Sequence, residues 1–169
     1  MIRYIRNIEH ISLFTINVIE ILIGTWKKFI VLTNERYSYM MAENKQKIIE
    51  DDRISMITEA SLVLKDLKKA DITEVKAYAA PPAGVIDVLI ATIILLGRPK
   101  SEQTWKFAQR ELSSAGLNKK AAEIDYEKIP IERRREAMTY LSKYTYEQVK
   151  NCSMAAAAFY QWAHAVASE

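Results

Sequence analysis

The residues of this chain that could do chemistry are its histidines, its cysteine and its acidic clusters. The two histidines, His10 and His164, stand far apart, and Cys152 is the only cysteine. The sequence contains no phosphate-binding loop of the GxxxxGK(S/T) form, no GxGxxG fingerprint and no CxxC or HExxH spacing. Metal sites and Ser/His/Asp arrangements therefore have no support, and we predict neither enzymatic activity nor a cofactor.

Each of these residues also has an ordinary structural interpretation. His164 follows Trp162 in a helical pattern, which is typical of a histidine on a helix surface or between helices. Cys152 is interpreted as a small packing residue. Glu123, Asp125 and Glu127 alternate in a way that is typical of a solvated acidic cluster.

Composition favours a helical protein. The 169 residues include only four glycines and four prolines, so the chain has little material for hairpins, and half of its residues are hydrophobic. The net charge is +3, which is compatible with an acidic partner but does not demand one. One cysteine permits no internal disulfide, so a reducing compartment is expected.

The N-terminal segment is predicted to form an apolar helix over residues 4–32, with a break at Thr33-Asn34-Glu35. Its most apolar stretch, Ile11–Trp26, allows three interpretations: a helix packed in a core or against a partner, a membrane anchor, or sequence outside any stable structure. A helix that spans a membrane needs about 20 mainly apolar residues, and extending this stretch admits Lys27.

Residues 37–70 have an amphipathic pattern whose apolar positions alternate by three and four, as in a coiled-coil seam. The seam residues are Ile57, Ala60, Leu64 and Leu67. A helix arriving from Leu62 must kink or stop near Ala80, because Pro81 and Pro82 cannot donate backbone hydrogen bonds and Pro82 disfavours the helical region at the residue before it.

Beyond the prolines, the apolar run Val85–Leu96 predicts a buried helix closed by Gly97. Further helix starts are predicted at Thr104, Asn118, Pro130 and Thr145, with one long last helix running from Thr145 through Val166. The predicted fold class is therefore all-α.

Several landmarks occur in an order that is similar to one known family. They are ADITEVK before the double proline, an apolar helix ending in LLG, Trp105, YEKIP at 126–130 and YTYEQVKNCSMAAAAFYQWA at 144–163. Together they resemble the tip of the dynein heavy-chain stalk, a small helical microtubule-binding domain on an antiparallel coiled coil, over roughly residues 57–166. PPAGV and the pair Lys150-Asn151 resemble axonemal or ciliary dyneins more than the cytoplasmic transport form.

The resemblance implies a compact helical bundle head on a short antiparallel coiled-coil stalk, with an extra apolar N-terminal helix. Residues 1–45 would be an apolar segment of uncertain role, 46–80 the outgoing stalk helix and 81–145 the microtubule-binding head. Residues 146–169 would form the last head helix and continue into the returning stalk helix. Pro81 and Pro82 would mark the stalk–head junction.

In that family, a half-heptad slide between the stalk strands links track affinity to the nucleotide state of a distant motor ring. The resemblance pairs Phe159, Ala163 and Val166 with Leu67, Leu64 and Ile57. The small residues Ala155–Ala158 would present few steric barriers to such a slide.

Tubulin has an acidic surface and acidic tails, so the resemblance implies binding through cations. Residues 95–150 hold twelve lysines and arginines against eight acidic residues, a surplus of four that exceeds the net charge of the whole chain. The predicted microtubule-binding residues are Lys119, Lys120, Lys150, Asn151, Lys106 and Arg110. The run Arg133–Arg135 is either a further contact or an ordinary solvated helix face.

Two features depart from the family. A lysine is common four residues past the second proline, where this chain has Ile86, and the chain carries no motor ring. We therefore expect a stalk-tip fragment, a truncated form or a tip fused to an unrelated apolar segment, located on the cytoskeleton of the cytoplasm or of a cilium.

The expected partners are microtubules and, within a longer chain, the rest of a dynein motor complex. Nucleic acid is not expected, because the basic residues are interleaved with carboxylates, and a membrane is not expected either. The alternative is a small membrane-anchored helical protein of non-enzymatic role, held by Ile11–Trp26.

Overall fold

The computed structural model describes residues 2–114 and 116–168, and within these ranges all regular structure is helical. The α-helices in chain order are α1 (Ile2–Lys65), α2 (Lys69–Ala77), α3 (Ala83–Leu95), α4 (Trp105–Ser114), α5 (Leu117–Ala122), α6 (Ile131–Leu141), α7 (Tyr146–Cys152) and α8 (Met154–Ala167). Short 3-10 turns occupy Lys100–Glu102 and Tyr126–Lys128. The all-α prediction is confirmed.

The chain divides into two compact units, Met1–Glu50 and Asp51–Glu169. In the first unit, every residue from 24 to 49 is exposed. The side chains of residues 2–21 and 23 lie outside the described ones, so the packing predicted for Ile11–Trp26 is tested only at its C-terminal end, where Trp26 is 67% exposed. Across the described residues, no helix combines the length and the apolar character needed to cross a membrane.

The predicted break at Thr33-Asn34-Glu35 is wrong, because α1 continues through it. Neither glycine nor proline occurs there, and the Thr33 hydroxyl donates to the carbonyls of Phe29 and Ile30, each at 2.9 Å. Such a bond to the preceding turn lets a threonine remain inside a helix.

The core of the second unit is built around α3. Nine of its thirteen residues are buried, and α3 packs mainly against α6 and α8. The predicted glycine closure is confirmed: Gly97 has φ +76°, the Arg98 N–H donates to the Ile93 carbonyl and the Gly97 N–H donates to the Ile94 carbonyl. This pair of bonds is a Schellman motif, which satisfies carbonyls that the helix end would leave without partners.

The prediction of one helix reaching the double proline is wrong. Helix α1 ends at Lys65, and Lys68 is extended, with φ −66° and ψ 141°, before α2 begins. Tyr78 is again extended, so α2 also stops before the prolines. Pro82 directly precedes α3, close to the first-turn position that was predicted for it.

The single last helix is likewise two helices. Thr145 caps α7 as predicted, in a reciprocal capping box with Gln148. Ser153 then adopts φ −165° and ψ 131°, and its hydroxyl accepts a hydrogen bond from the Ala156 N–H. A serine that caps the second helix in this way competes with continuation of the first.

The predicted seam residues belong to the core. Ile57, Ala60 and Leu64 are at most 3% exposed, while Leu67 is half-buried against the same cluster. The residues predicted to face them, Phe159, Ala163 and Val166, are buried in that cluster too, as are Ala155–Ala158. Their residue-by-residue pairing stays a prediction.

Candidate functional site

Helices α4 and α5 are joined by an ion pair between two charges nine residues apart. Lys120 Nζ lies 2.8 Å from Glu111 Oε2, and the Glu111 side chain is only 13% exposed. The hydrogen bond from Lys120 holds the pKa of Glu111 below its usual range, and the charges of Lys120, Arg98 and Arg110 act in the same direction, against the effect of burial. Lys120 is therefore the direct partner of Glu111, while Arg98 also lies 3.9 Å from a carboxylate oxygen of Glu102.

Two of these cations also lie over one aromatic ring. The guanidinium carbons of Arg98 and Arg110 are 5.8 Å and 4.9 Å from the centre of the buried Phe107 ring. Such contacts favour a cation near the ring face and keep its nitrogens available to other acceptors. We call Arg98, Phe107, Arg110, Glu111 and Lys120 the α4–α5 cluster.

Arg98 was counted among the basic residues but was not among the predicted site residues. The signal that could have found it is its place after Gly97, where the helix closure turns the chain back toward α4. Lys106 and Lys119, both predicted, are exposed beside the cluster on α4 and α5.

Asn118 does not cap α5 as predicted. The residue before α5 is Gly116, whose φ of +59° reverses the chain after α4. Asn118 is 6% exposed, and its side-chain amide donates to the carbonyl of Leu64 at 3.0 Å. It therefore caps the C-terminal end of α1 and ties that end to α5.

The remaining predicted contacts lie on α7. Lys150 Nζ is 3.8 Å from a Glu147 carboxylate oxygen and 5.6 Å from the centre of the Tyr146 ring, and Asn151 is exposed. Helix α7 packs on α8 and α3. Because Lys150 and Asn151 lie on α7 and not on α4 or α5, we treat them as a second patch.

Ile86 stands where the dynein family commonly has a lysine, and the residues around it stabilise the fold. Ile86 is half-buried, and its neighbour Asp87 accepts hydrogen bonds from Lys143 Nζ at 3.0 Å and from the Tyr144 hydroxyl at 3.1 Å. Burial, followed by the negative charge of Asp87, raises the pKa of Tyr144. Asp87 thus fastens the start of α3 to the turn before α7.

The basic run after Pro130 is partly structural. Arg134 donates to the carbonyls of Ile129 at 3.2 Å and of Tyr126 at 2.7 Å. These bonds brace the turn that leads into α6. Arg134 is therefore committed to the fold, while Arg133 and Arg135 are exposed.

The other residues whose side chains could take part in chemistry make contacts that stabilise the fold. His164 stacks on Tyr160 with ring centres 5.6 Å apart, and the carbonyl of half-buried Cys152 accepts the Tyr78 hydroxyl at 3.0 Å. Within the described part of the chain, no cluster of three potential metal ligands occurs. Pro81 and Pro82 lie half-buried between α2 and α3.

Comparison with known proteins identifies the family. The family model described as the microtubule-binding stalk of dynein motor matches residues 32–168. The chain belongs to this family. The resemblance found in the sequence is thereby confirmed.

The dynein relatives include axonemal and cytoplasmic chains. The dynein-1-beta heavy chain of the flagellar inner arm I1 complex of Chlamydomonas reinhardtii is 33% identical over 112 residues, which are 65% of this chain and 2% of that protein. Human dynein axonemal heavy chain 2 is 30% identical over 128 residues, 75% of this chain and 3% of that protein. The cytoplasmic dynein heavy chain of Caenorhabditis elegans is 26% identical over 130 residues, 74% of this chain and 3% of that protein.

This dynein stalk domain thus spans 2% to 3% of the length of the curated relatives it matches. The match begins at residue 32, within α1, so part of the first unit lies inside the family region. The apolar segment predicted over residues 1–45 is therefore partly dynein-like sequence.

Proposed function

We propose that residues 51–168 bind the microtubule surface as the tip of a dynein stalk. The observation that supports this most is the family match, which covers every helix of the second unit up to residue 168. The names of the relatives support a cytoskeletal location, in the cytoplasm or in the axoneme of a cilium or flagellum. Within a longer chain, the partners would include the rest of a dynein motor complex.

The first proposed contact is the exposed side of α4 and α5. Lys106 and Lys119 are exposed beside the α4–α5 cluster, in which the charges of Lys120, Arg98 and Arg110 all lower the pKa of Glu111. A surface of this kind attracts an acidic partner, raises the association rate and weakens as salt is added.

The second proposed contact is α7, through Lys150 and Asn151. The pairing of Lys150 with Glu147 is long, at 3.8 Å, and Glu147 is itself 69% exposed. An exposed pair of this length holds a lysine weakly, so Lys150 can exchange Glu147 for an acidic group of the track at little cost.

We further propose that the chain is a binding and mechanical element and not an enzyme, with affinity coupled to the register of α1 against α8. Ala155–Ala158 of α8 and Ala60 of α1 are buried in the same apolar cluster, and their facing one another is part of this proposal. Small side chains in a seam allow two packings of similar energy, which a register shift requires.

The test is co-pelleting of the whole chain with microtubules at low and moderate salt. We expect salt-sensitive binding, and Lys106→Ala with Lys119→Ala should weaken it by about two- to fivefold per lysine. The matched control is Lys45→Ala with Lys47→Ala, which removes the same charge from exposed positions of the first unit.

Affinity that falls equally in both double variants would show that only net charge matters and would contradict the proposed surface. Absence of pelleting at low salt, by a chain whose circular dichroism shows it folded, would contradict microtubule binding itself. The second patch is tested separately by Lys150→Ala with Asn151→Ala, for which unchanged affinity removes α7 from the interface.

A further inference from the structure

A second basic feature of this domain lies outside the α4–α5 cluster. A groove of about 370 Å³ opens between the end of α1, helix α2 and the turn that joins α4 to α5. Four lysines line it, namely Lys65, Lys69, Lys76 and Lys119, and no carboxylate does. We call this feature the lysine groove.

The lysines of the groove differ from four other lysines of the head, which are paired with carboxylates. Lys120, Lys128, Lys143 and Lys150 each lie within 4.0 Å of a carboxylate oxygen. Among the described residues, no carboxylate lies within that distance of the four groove lysines. Four positive charges gathered around one depression repel each other, and an anionic partner relieves that repulsion.

The floor of the groove is apolar. Leu67 and Ile72 are half-buried there and Leu112 is buried. An inorganic anion would gain nothing from these side chains, whereas a peptide could bury an apolar or aromatic side chain on them.

The spacing along α2 indicates the shape of the partner. Lys69, Ile72, Thr73 and Lys76 lie at positions i, i+3, i+4 and i+7, so one face of α2 forms a wall of the groove. Two lysines seven residues apart on a helix are about 10 Å apart along its axis. An extended peptide covers that distance with about three residues.

We propose that the lysine groove binds an extended acidic peptide that carries an apolar side chain, and that its occupant is the acidic tail of tubulin. The choice of source rests on the proposed function, because Lys119 lines the groove and also belongs to the proposed track-facing side of α5. A chain docked on the track through α5 would bring the groove within reach of a flexible acidic tail.

The direct test measures binding of a labelled glutamate-rich peptide with one central tyrosine to the whole chain, by fluorescence anisotropy. Lys69→Gln with Lys76→Gln should weaken binding by about fivefold or more. The control, Lys68→Gln with Lys100→Gln, removes the same charge from exposed positions that do not line the groove. Thermal melting checks that both variants fold.

Equal affinities of the two double variants would overturn the proposal, and so would wild-type affinity in the groove variant. Replacing the peptide tyrosine by glycine should also weaken binding. An unchanged affinity would overturn the claim that the apolar floor of the groove binds a peptide side chain. Anionic vesicles or a short RNA could instead bind more tightly than the acidic peptide and lose this binding in the groove variant. That result would assign the groove to another class of partner and would overturn the proposal.

The source is tested with microtubules whose acidic tails have been cleaved. Wild type should bind intact microtubules more tightly than the groove variant, and this difference should vanish on cleaved ones. A difference that persists on cleaved microtubules would overturn the tail as occupant. Absence of binding to intact microtubules by wild type would instead contradict the proposed function, while the peptide measurement still decides the groove.

Discussion

The Asn118→Ala substitution should detach the end of α1 from α5 and lower the free energy of unfolding by about 1–3 kcal/mol. Asn118 is 6% exposed, and its amide donates to the Leu64 carbonyl at 3.0 Å. That carbonyl lies in the last turn of α1, where it also accepts a hydrogen bond from the Leu67 backbone N–H at 3.5 Å. Alanine would leave the carbonyl with only this long contact, and a buried acceptor without a good partner carries most of its desolvation cost.

Two measurements test this expectation. Thermal melting should shift downward by about 4 °C for each kcal/mol in a domain of this size. Hydrogen exchange should rise over residues 64–68, while the core of α3 changes only by the global loss of stability. The matched control is Asn151→Ala, because Asn151 is exposed and its loss should cost less than about 0.5 kcal/mol.

The reasoning is refuted if Asn118→Ala melts within experimental error of Asn151→Ala. It is also refuted if stability falls but exchange over residues 64–68 rises no more than elsewhere in the domain. That second result would mean that the amide stabilises α5 alone and does not hold α1.

Three other substitutions test separate parts of the fold. Gly97→Ala should destabilise by about 1–2 kcal/mol, because φ of +76° is unfavourable for a residue with a Cβ, and an unchanged melting temperature would contradict this. Thr145→Ala should lower the urea midpoint by the equivalent of about 1 kcal/mol, since it removes half of the α7 capping box. The lowered pKa of Glu111 means that its pairing stabilises the fold above its usual value of 4.5 and loses this effect as pH falls through the lowered pKa. Glu111→Gln should therefore lower the free energy of unfolding by less than about 1 kcal/mol near neutral pH, since Lys120 is 40% exposed, and the variant should be as stable as wild type in acid. A difference in stability that stays constant at all pH values would argue against the ion pair.

Local signals in the sequence predicted several elements well. The run Val85–Leu96 with Gly97 contains both the apolar content of a buried helix and the residue that its closure needs. Thr145 with Gln148 three residues later is a complete capping signal. Each of these features depends only on neighbours in sequence, so the sequence alone predicts it.

The end of α1 could not be predicted in this way. No glycine or proline stops the helix at Lys65, and the double proline comes later. The Leu64 carbonyl is satisfied by Asn118, which is 54 residues away in sequence. The pattern of residues 37–70 cannot predict this hydrogen bond, because its donor lies outside that segment.

The contacts of the α4–α5 cluster could not be predicted from the sequence for the same reason. Helical spacing identifies exposed lysines, but it does not show that Lys120 crosses the Gly116 turn to reach Glu111. It also does not place Arg98 over Phe107, because that contact depends on the chain reversal at Gly97. Contacts made across turns decide which cations are committed to the fold.

Helix α5 is where α1 and the proposed track contacts meet. It has six residues, and three of them are Asn118, which holds the end of α1, and the cations Lys119 and Lys120. A helix of this length cannot absorb a displacement by bending. In the proposed function, a shift of α1 would therefore move Lys119 and Lys120 with it. The same shift would alter the lysine groove, since Lys65 of α1 and Lys119 of α5 both line it.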